Sequence, residues 1–202
     1  MEVKFLDSEL TSTALATTWA TYNPTGTGCT DSISVPAVGT SESERIGRRY
    51  TIKSILVKGF MKCTATEAAT SPPGDLTGRV IVYWDTQTNS AEATATDIMD
   101  GGGSNDVLAW RNLQNSRRFI VLYDKTIVLR PEITSVANDD FDRQPKTYMF
   151  KLFKNFREGI EVTCDGTTAN VSSVSDNNIG IAAVAESTAV TLEYQARVRF
   201  CG

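Results

Sequence analysis

The side chains able to do chemistry are few in this chain of 202 residues, and they are widely spread. Histidine is absent. That removes the Ser-His-Asp triad, the Cys-His dyad and every His-ligated metal site. Paired carboxylates and lysine chemistry stay formally open. Asp85, Asp124 and Glu161 are the carboxylates to weigh, but each lies at the end of a strand-like run, where such residues close turns. Nothing in their spacing brings two together, so the chain is read as a non-enzyme. The cysteines, Cys29, Cys63, Cys164 and Cys201, form no CxxC pair, which leaves zinc ribbons and thioredoxin-like motifs unsupported. They are read as free thiols. No cofactor and no metal is implied.

Binding chemistry is better represented. Arg45, Arg48, Arg49, Lys53, Lys58 and Lys62 fall within one stretch that contains no Asp or Glu. Displayed together they could pair with phosphates, the sequence-independent term of nucleic-acid binding. Subunit contacts, or a solvated strand face, explain the same residues without any ligand. Lys146, Lys151, Lys154 and Arg157 make a smaller basic stretch of which part flanks the core. Asn138 to Asp142 could offer oxygens to calcium through Asp139, Asp140 and Asp142, but the cluster lacks the spacing and glycine of an EF-hand loop. Trp84, Trp110, Phe150, Phe153 and Phe156 could stack on bases, although packing in a core or between subunits is the more economical reading of aromatics on strands. The net charge of −4 makes the chain as a whole no cationic nucleic-acid binder.

The elements that must carry these residues are short strands separated by Gly, Pro, Asn, Asp and Ser clusters, the pattern of a sandwich or barrel. The last segment is clearest. Val190, Leu192, Tyr194, Ala196, Val198 and Phe200 alternate with Thr191, Glu193, Gln195, Arg197 and Arg199, a period of two that no helix produces. Further strands are expected at Leu15 to Tyr22, Tyr50 to Thr64, Arg79 to Asp85, Arg118 to Tyr123, Lys125 to Leu129, Tyr148 to Phe156, Ile160 to Cys164 and Ile179 to Ala185, about eight of them principal. Within Tyr50 to Thr64 the apolar parity switches, which requires either a bulge near Leu56 and Val57 or a strand covered on both faces. One helix is expected, over Ser104 to Leu113, capped by Ser104 and following Gly101 to Gly103. The whole of 1–202 reads as one all-β domain, with no signal peptide and no membrane-spanning run.

At this point the residues resemble a family. The run GTSESERIGRRYTIKSILVKGF, followed by GRVIVYWDTQTN, RFIVLYDKTIVL and a closing RVRF, is similar to the capsid proteins of small circular single-stranded DNA viruses. The specific features are Arg45-Ile46-Gly47 before Ile52 and Lys53, Asp85 with Gln87, Arg118-Phe119 with Asp124, and Arg199-Phe200, in that order from about Lys4 to Phe200. The resemblance implies an eight-stranded antiparallel jelly roll of two packed four-stranded sheets. It implies self-assembly of about 60 copies into an icosahedral shell around a single-stranded DNA genome, in a virion assembled in the host cell, in its nucleus. It also implies a basic N-terminal arm. The first 44 residues instead hold one basic residue, Lys4, against six acidic ones. Either an arm precedes this segment or the protein packages little nucleic acid. The rival expectation is a non-viral jelly-roll binding module for a carbohydrate or receptor ligand. An enzyme on that scaffold is disfavoured, because cupin-type metal sites depend on histidine.

Overall fold

The alternation at the C-terminal end is realised without a fault. From Val190 to Phe200 every second side chain is buried, and the charged positions between them point outward. The computed structural model describes residues 2–24, 31–64, 66–68, 74–100, 107–130, 132–134 and 147–202. Among them the strands run β1 (Val3–Ala14), β2 (Ala20–Thr21), β3 (Arg49–Cys63), β4 (Thr66–Ala68), β5 (Leu76–Asp85), β6 (Met99–Asp100), β7 (Trp110–Arg111), β8 (Phe119–Leu129), β9 (Glu132–Thr134), β10 (Thr147–Cys164), β11 (Val174–Asp176), β12 (Asn178–Ala185) and β13 (Val190–Cys201).

The chain is all-β, as its sequence leads one to expect. A five-stranded antiparallel sheet has the order β1-β13-β3-β10-β11, and a four-stranded one the order β2-β12-β5-β8. Two small ladders, β4 with β9 and β6 with β7, are accessory. Ile52, Ile55, Val57, Tyr194, Val198 and Phe200 from the first sheet share one buried cluster with Val80, Val82, Ile127, Ile179 and Ile181 from the second. The other face of the four-stranded sheet is covered too. Ile81, Tyr83, Ala182 and Val184 pack there against Trp19, Ala93, Ile98, Met99, Val107, Ala109 and Phe119. Every residue of β12 is therefore buried. A strand enclosed on both faces has no reason to alternate, which is why NIGIAAVA shows no period of two.

The parity switch in β3 comes from a bulge, placed earlier than expected. Against β13, Ser54 pairs with Arg199 and Ile52 with Phe200, so Lys53 is the extra residue. Tyr50 and Ile52 face inward before it, and Ile55, Val57, Met61 and Cys63 after it. On the other side β10 carries a larger irregularity. Asn155 pairs with Ser54 and Ile160 with Ile52, which loops Phe156 to Gly159 out of the ladder. Gly159 takes φ +83 there, a left-handed conformation open mainly to glycine.

Four expectations are corrected. Tyr148 to Phe156 and Ile160 to Cys164 are one strand, β10, because the bulge absorbs Gly159 rather than ending the pairing. Arg118 to Tyr123 and Lys125 to Leu129 are also one strand, β8, with Leu122 as its extra residue opposite Val82 and Tyr83. The described part of the expected helix, Val107 to Leu113, is a turn followed by β7, and residues 104–106 lie outside the described residues. Among the described residues the α-helix is one turn, α1 (Ala95–Ile98), where the Asp97 carboxylate accepts a hydrogen bond from the Thr94 backbone N–H at 3.2 Å, and a 3-10 turn forms at Val171–Ser173. Of Leu15 to Tyr22 only Ala20–Thr21 pairs as strand, while the twelve residues of β1 were not expected to pair at all. Lys4 and Ser8 occupy inward positions of β1, and Phe5 an outward one, so polar and apolar residues fall in both phases.

Candidate nucleic-acid interface

Arg45 leaves the candidate set at once. It is fully buried, its Nε donates to the Pro36 carbonyl at 3.1 Å, and its terminal nitrogens donate to the carbonyls of Gly47 and Gly166. A guanidinium spent on three carbonyls holds the 36–47 connection against the 166 loop and meets no phosphate. Arg48 is exposed, and its carbonyl accepts the Cys164 N–H at 2.7 Å. Arg49 makes a loose ion pair with Glu161 at 3.5 Å, with both side chains well exposed. Lys53 lies half-buried over the β10 bulge.

The remaining two lysines stand on the outer face of the five-stranded sheet. Beyond the Lys53 bulge, alternation turns Leu56, Lys58, Phe60 and Lys62 outward. Register then builds rows across three strands. Lys58 lies between Lys151 of β10 and Gln195 of β13. Phe60 lies between Met149 and Glu193, Lys62 between Thr147 and Thr191, and Leu56 between Phe153 and Arg197. Met149 and Phe153 are 79% and 63% exposed, so apolar and cationic side chains interleave on an open surface. The face is also polarised in charge. On the edge strand β1, Asp7 holds Arg197 through bonds of 2.6 and 2.5 Å, and Glu9 lies opposite Gln195. Shallow depressions of about 490 and 370 Å³ open on either side of Lys58. The six residues singled out in the sequence are thus one buried structural arginine, one pair at the Arg49 end of β3, one lysine at its bulge and one pair along its far half. Arg49 and Lys62 are 13 residues apart on one strand, about 40 Å.

Lys151, read from the sequence only as part of a lesser stretch, is the neighbour of Lys58, a fact that resides in the register. Arg199, also exposed, pairs with Phe5 of β1. Lys154 and Arg157 are exposed, the latter within the bulge. Lys146, Cys29 and the 138–142 acidic cluster lie outside the described residues.

The carboxylates go to separate arginines. Asp85, almost wholly buried, binds Arg118 at 2.8 and 2.9 Å, a partnership that raises the arginine's already high pKa. Asp124 binds Arg79 at 2.7 and 2.6 Å in mid-strand, and Glu161 belongs to the other sheet. Among the aromatics, Phe150 is buried and stacks on Tyr123 at 6.0 Å, and Trp84 meets Phe156 edge-on at 6.2 Å. Trp110 and Phe153 are exposed and depart from the packing explanation within this chain. Cys63, Cys164 and Cys201 are free and buried, and burial pushes the Cys164 thiol up. Among the described residues no three His, Cys, Asp or Glu side chains are grouped so as to hold a metal ion, and no helix is long and apolar enough to cross a membrane.

No family model matches the chain, and no curated protein matches it. Among solved structures, one chain described as the crystal structure of a 60-mer BFDV capsid protein aligns at 12% identity and a TM-score of 0.34, over 99% of this chain and 92% of that one. A likeness that remote carries no argument about fold or function.

Proposed function

We propose that the protein is a non-catalytic capsid subunit: one jelly-roll domain that self-assembles into a closed icosahedral shell of a virion and turns the outer face of its five-stranded sheet toward a single-stranded DNA genome. The observation that carries this reading is the strand order. Without β11 and the two accessory ladders, the orders β1-β13-β3-β10 and β2-β12-β5-β8 are compatible with two four-stranded jelly-roll sheets, which supports the reading. Passing from that fold to a shell is an analogy at the level of fold, joined to the sequence resemblance of the ordered motifs between Lys4 and Phe200.

The chemistry of the exposed face supports the partner. Like charges directly opposite each other on a sheet repel, yet Lys58 stands against Lys151 with no acid between them. A polyanion laid along β3 and β10 relieves that repulsion, and Phe60, Met149 and Phe153 offer apolar surface to unstacked bases. Arg48 and Arg49 extend the track at the other end of the strand. The test of the assembly is direct: purified protein, observed by negative-stain electron microscopy and light scattering, forms spherical particles on the order of tens of subunits, because closed symmetric shells require such numbers. A strictly monomeric protein at high concentration across pH and salt rejects the shell.

A further inference from the structure

A second site lies on the far side of the molecule, over the outer face of the four-stranded sheet. There β6 and β7 form a two-residue ladder, with Asp100 opposite Trp110 and Met99 opposite Arg111. The indole of Trp110 is 84% exposed, whereas Trp19 is buried and Trp84 packs on Phe156. Leu108 and Leu113, 81% and 80% exposed, flank Trp110 in sequence, and a group of exposed apolar side chains calls for an explanation when the backbone beneath it is held firmly.

Here it is. Arg79 donates to the carbonyls of Val107 and Ala109 at 3.1 and 2.8 Å while its fork grips Asp124. Arg111 donates to the Phe119 carbonyl at 3.2 Å, and the Asn112 N–H to the Ile98 carbonyl at 2.9 Å. Val107 and Ala109 are buried against the sheet. The backbone that carries Trp110 is therefore held in place.

Beside Trp110 opens a shallow cleft of about 810 Å³, as open to solvent as the depressions beside Lys58. Its lining includes Asp100, Arg111, Asn112, Leu113 and Gln114, with the Arg79–Asp124 pair at one side. Two arginines and two aspartates leave it without net charge. Among the described residues, no hydrogen bond or ion pair engages the Asp100 carboxylate or the Gln114 carboxamide. The site thus offers one flat apolar plate, one free acceptor pair and one amide that both donates and accepts. A phosphate or sulfate would meet Asp100 and Asp124. A purely apolar ligand would strand the polar groups.

From this we infer that the cleft binds a neutral saccharide, with the C–H face of a sugar ring laid on Trp110 and its hydroxyls bonded to Asp100 and Gln114. The inference is independent of shell formation and is tested on the folded protein. Wild type, Trp110→Ala, Trp110→Phe and Gln114→Ala are applied to an immobilised panel of neutral hexose and N-acetylhexosamine oligosaccharides, with sulfated and sialylated glycans and oligo-dT alongside. Saccharides that bind are then titrated by intrinsic fluorescence and calorimetry. Binding to one or more neutral glycans is expected, weakened at least tenfold by Trp110→Ala, several-fold by Gln114→Ala, and largely retained by Trp110→Phe, with thermal midpoints unchanged. Binding of no neutral glycan overturns the inference. So does Trp110-dependent capture of only anionic glycans or oligo-dT, or a loss of self-association in Trp110→Ala without any saccharide effect, which would make the indole a contact between copies.

Discussion

Three basic residues that look alike in the sequence divide at the residue scale. Arg45, Arg48 and Arg49 share a charge and a neighbourhood, but only Arg45 is enclosed and satisfied by three backbone carbonyls. Removing it strands those carbonyls and a cavity, so Arg45→Ala should lower stability by about 3 kcal/mol or more, whereas Arg48→Ala should stay within about 0.5 kcal/mol. Arg45→Lys should not rescue it, because one ammonium cannot reach three acceptors arranged for a planar fork. Urea midpoints for the three variants decide this, and equal midpoints for Arg45→Ala and Arg48→Ala would show that the enclosed guanidinium is not structural. Thiol chemistry gives a second residue-scale outcome. With Cys29 replaced by Ser, the native protein should react with a disulfide reagent only after unfolding, since Cys63, Cys164 and Cys201 are buried and burial raises the Cys164 pKa away from the reactive thiolate. Rapid labelling at neutral pH would contradict the packing around them.

At the scale of elements, β13 offers the sharpest contrast. Val198 is fully buried between the sheets, and Val198→Asp buries an unpaired carboxylate whose cost, well above about 5 kcal/mol if it stays ionised, should abolish folding in a domain at the low end of ordinary stability. Arg197→Ala one position away removes an exposed pair with Asp7 and the guanidinium's contact over the Phe5 ring at 5.1 Å, and should cost about 1 kcal/mol, as read by circular dichroism melts. Gly159→Ala should be costly for another reason, since φ +83 strains any side chain and the new Cβ would lie 2.3 Å from Thr51 Cγ2; about 2 kcal/mol or more is expected. These strands also show what the sequence could and could not tell. β13 was legible because one face meets the core and the other meets water. The β3 parity switch was legible, but the sequence left a bulge near Leu56 and Val57 and a strand covered on both faces equally open, and only the β13 register selects a bulge and puts it at Lys53. β8 and β10 were each read as two strands, because a bulge and a turn use the same local residues and only pairing distinguishes them. β1 was missed because the inward Lys4 satisfies itself on the carbonyls of Ser41 and Glu44, partners far away in sequence. The candidate site was half legible: the lysines of β3 were evident by type, and the Lys58–Lys151 juxtaposition existed only in the register.

For the whole molecule, the charge distribution matters more than its sum. A net charge of −4 suggests indifference to nucleic acid, yet on the five-stranded face Lys58, Lys62 and Lys151 gather on β3 and β10, while Asp7 and Glu9 stand on the edge strand β1 and Glu193 on β13 beside Phe60. If that face grips a single strand by its phosphates, affinity must fall with salt in proportion to the phosphates neutralised, with a slope of about −0.7 per contact. Replacing Lys58, Lys62 and Lys151 together by Ala should then flatten the slope of log K against log salt by about 2, with the subunit still folded because all three side chains are exposed. Arg197→Ala on the same face is the control. Its charge is already cancelled by Asp7, so the slope should barely move. Fluorescence anisotropy with oligo-dT at several salt concentrations measures both. An unchanged slope in the triple variant would move the contact to Arg48 and Arg49 at the other end of β3, and replacing that pair would then have to flatten it. A wild-type slope near zero would remove nucleic acid from this face altogether, and the interleaved lysines and apolar residues would be left as surface for contacts between subunits.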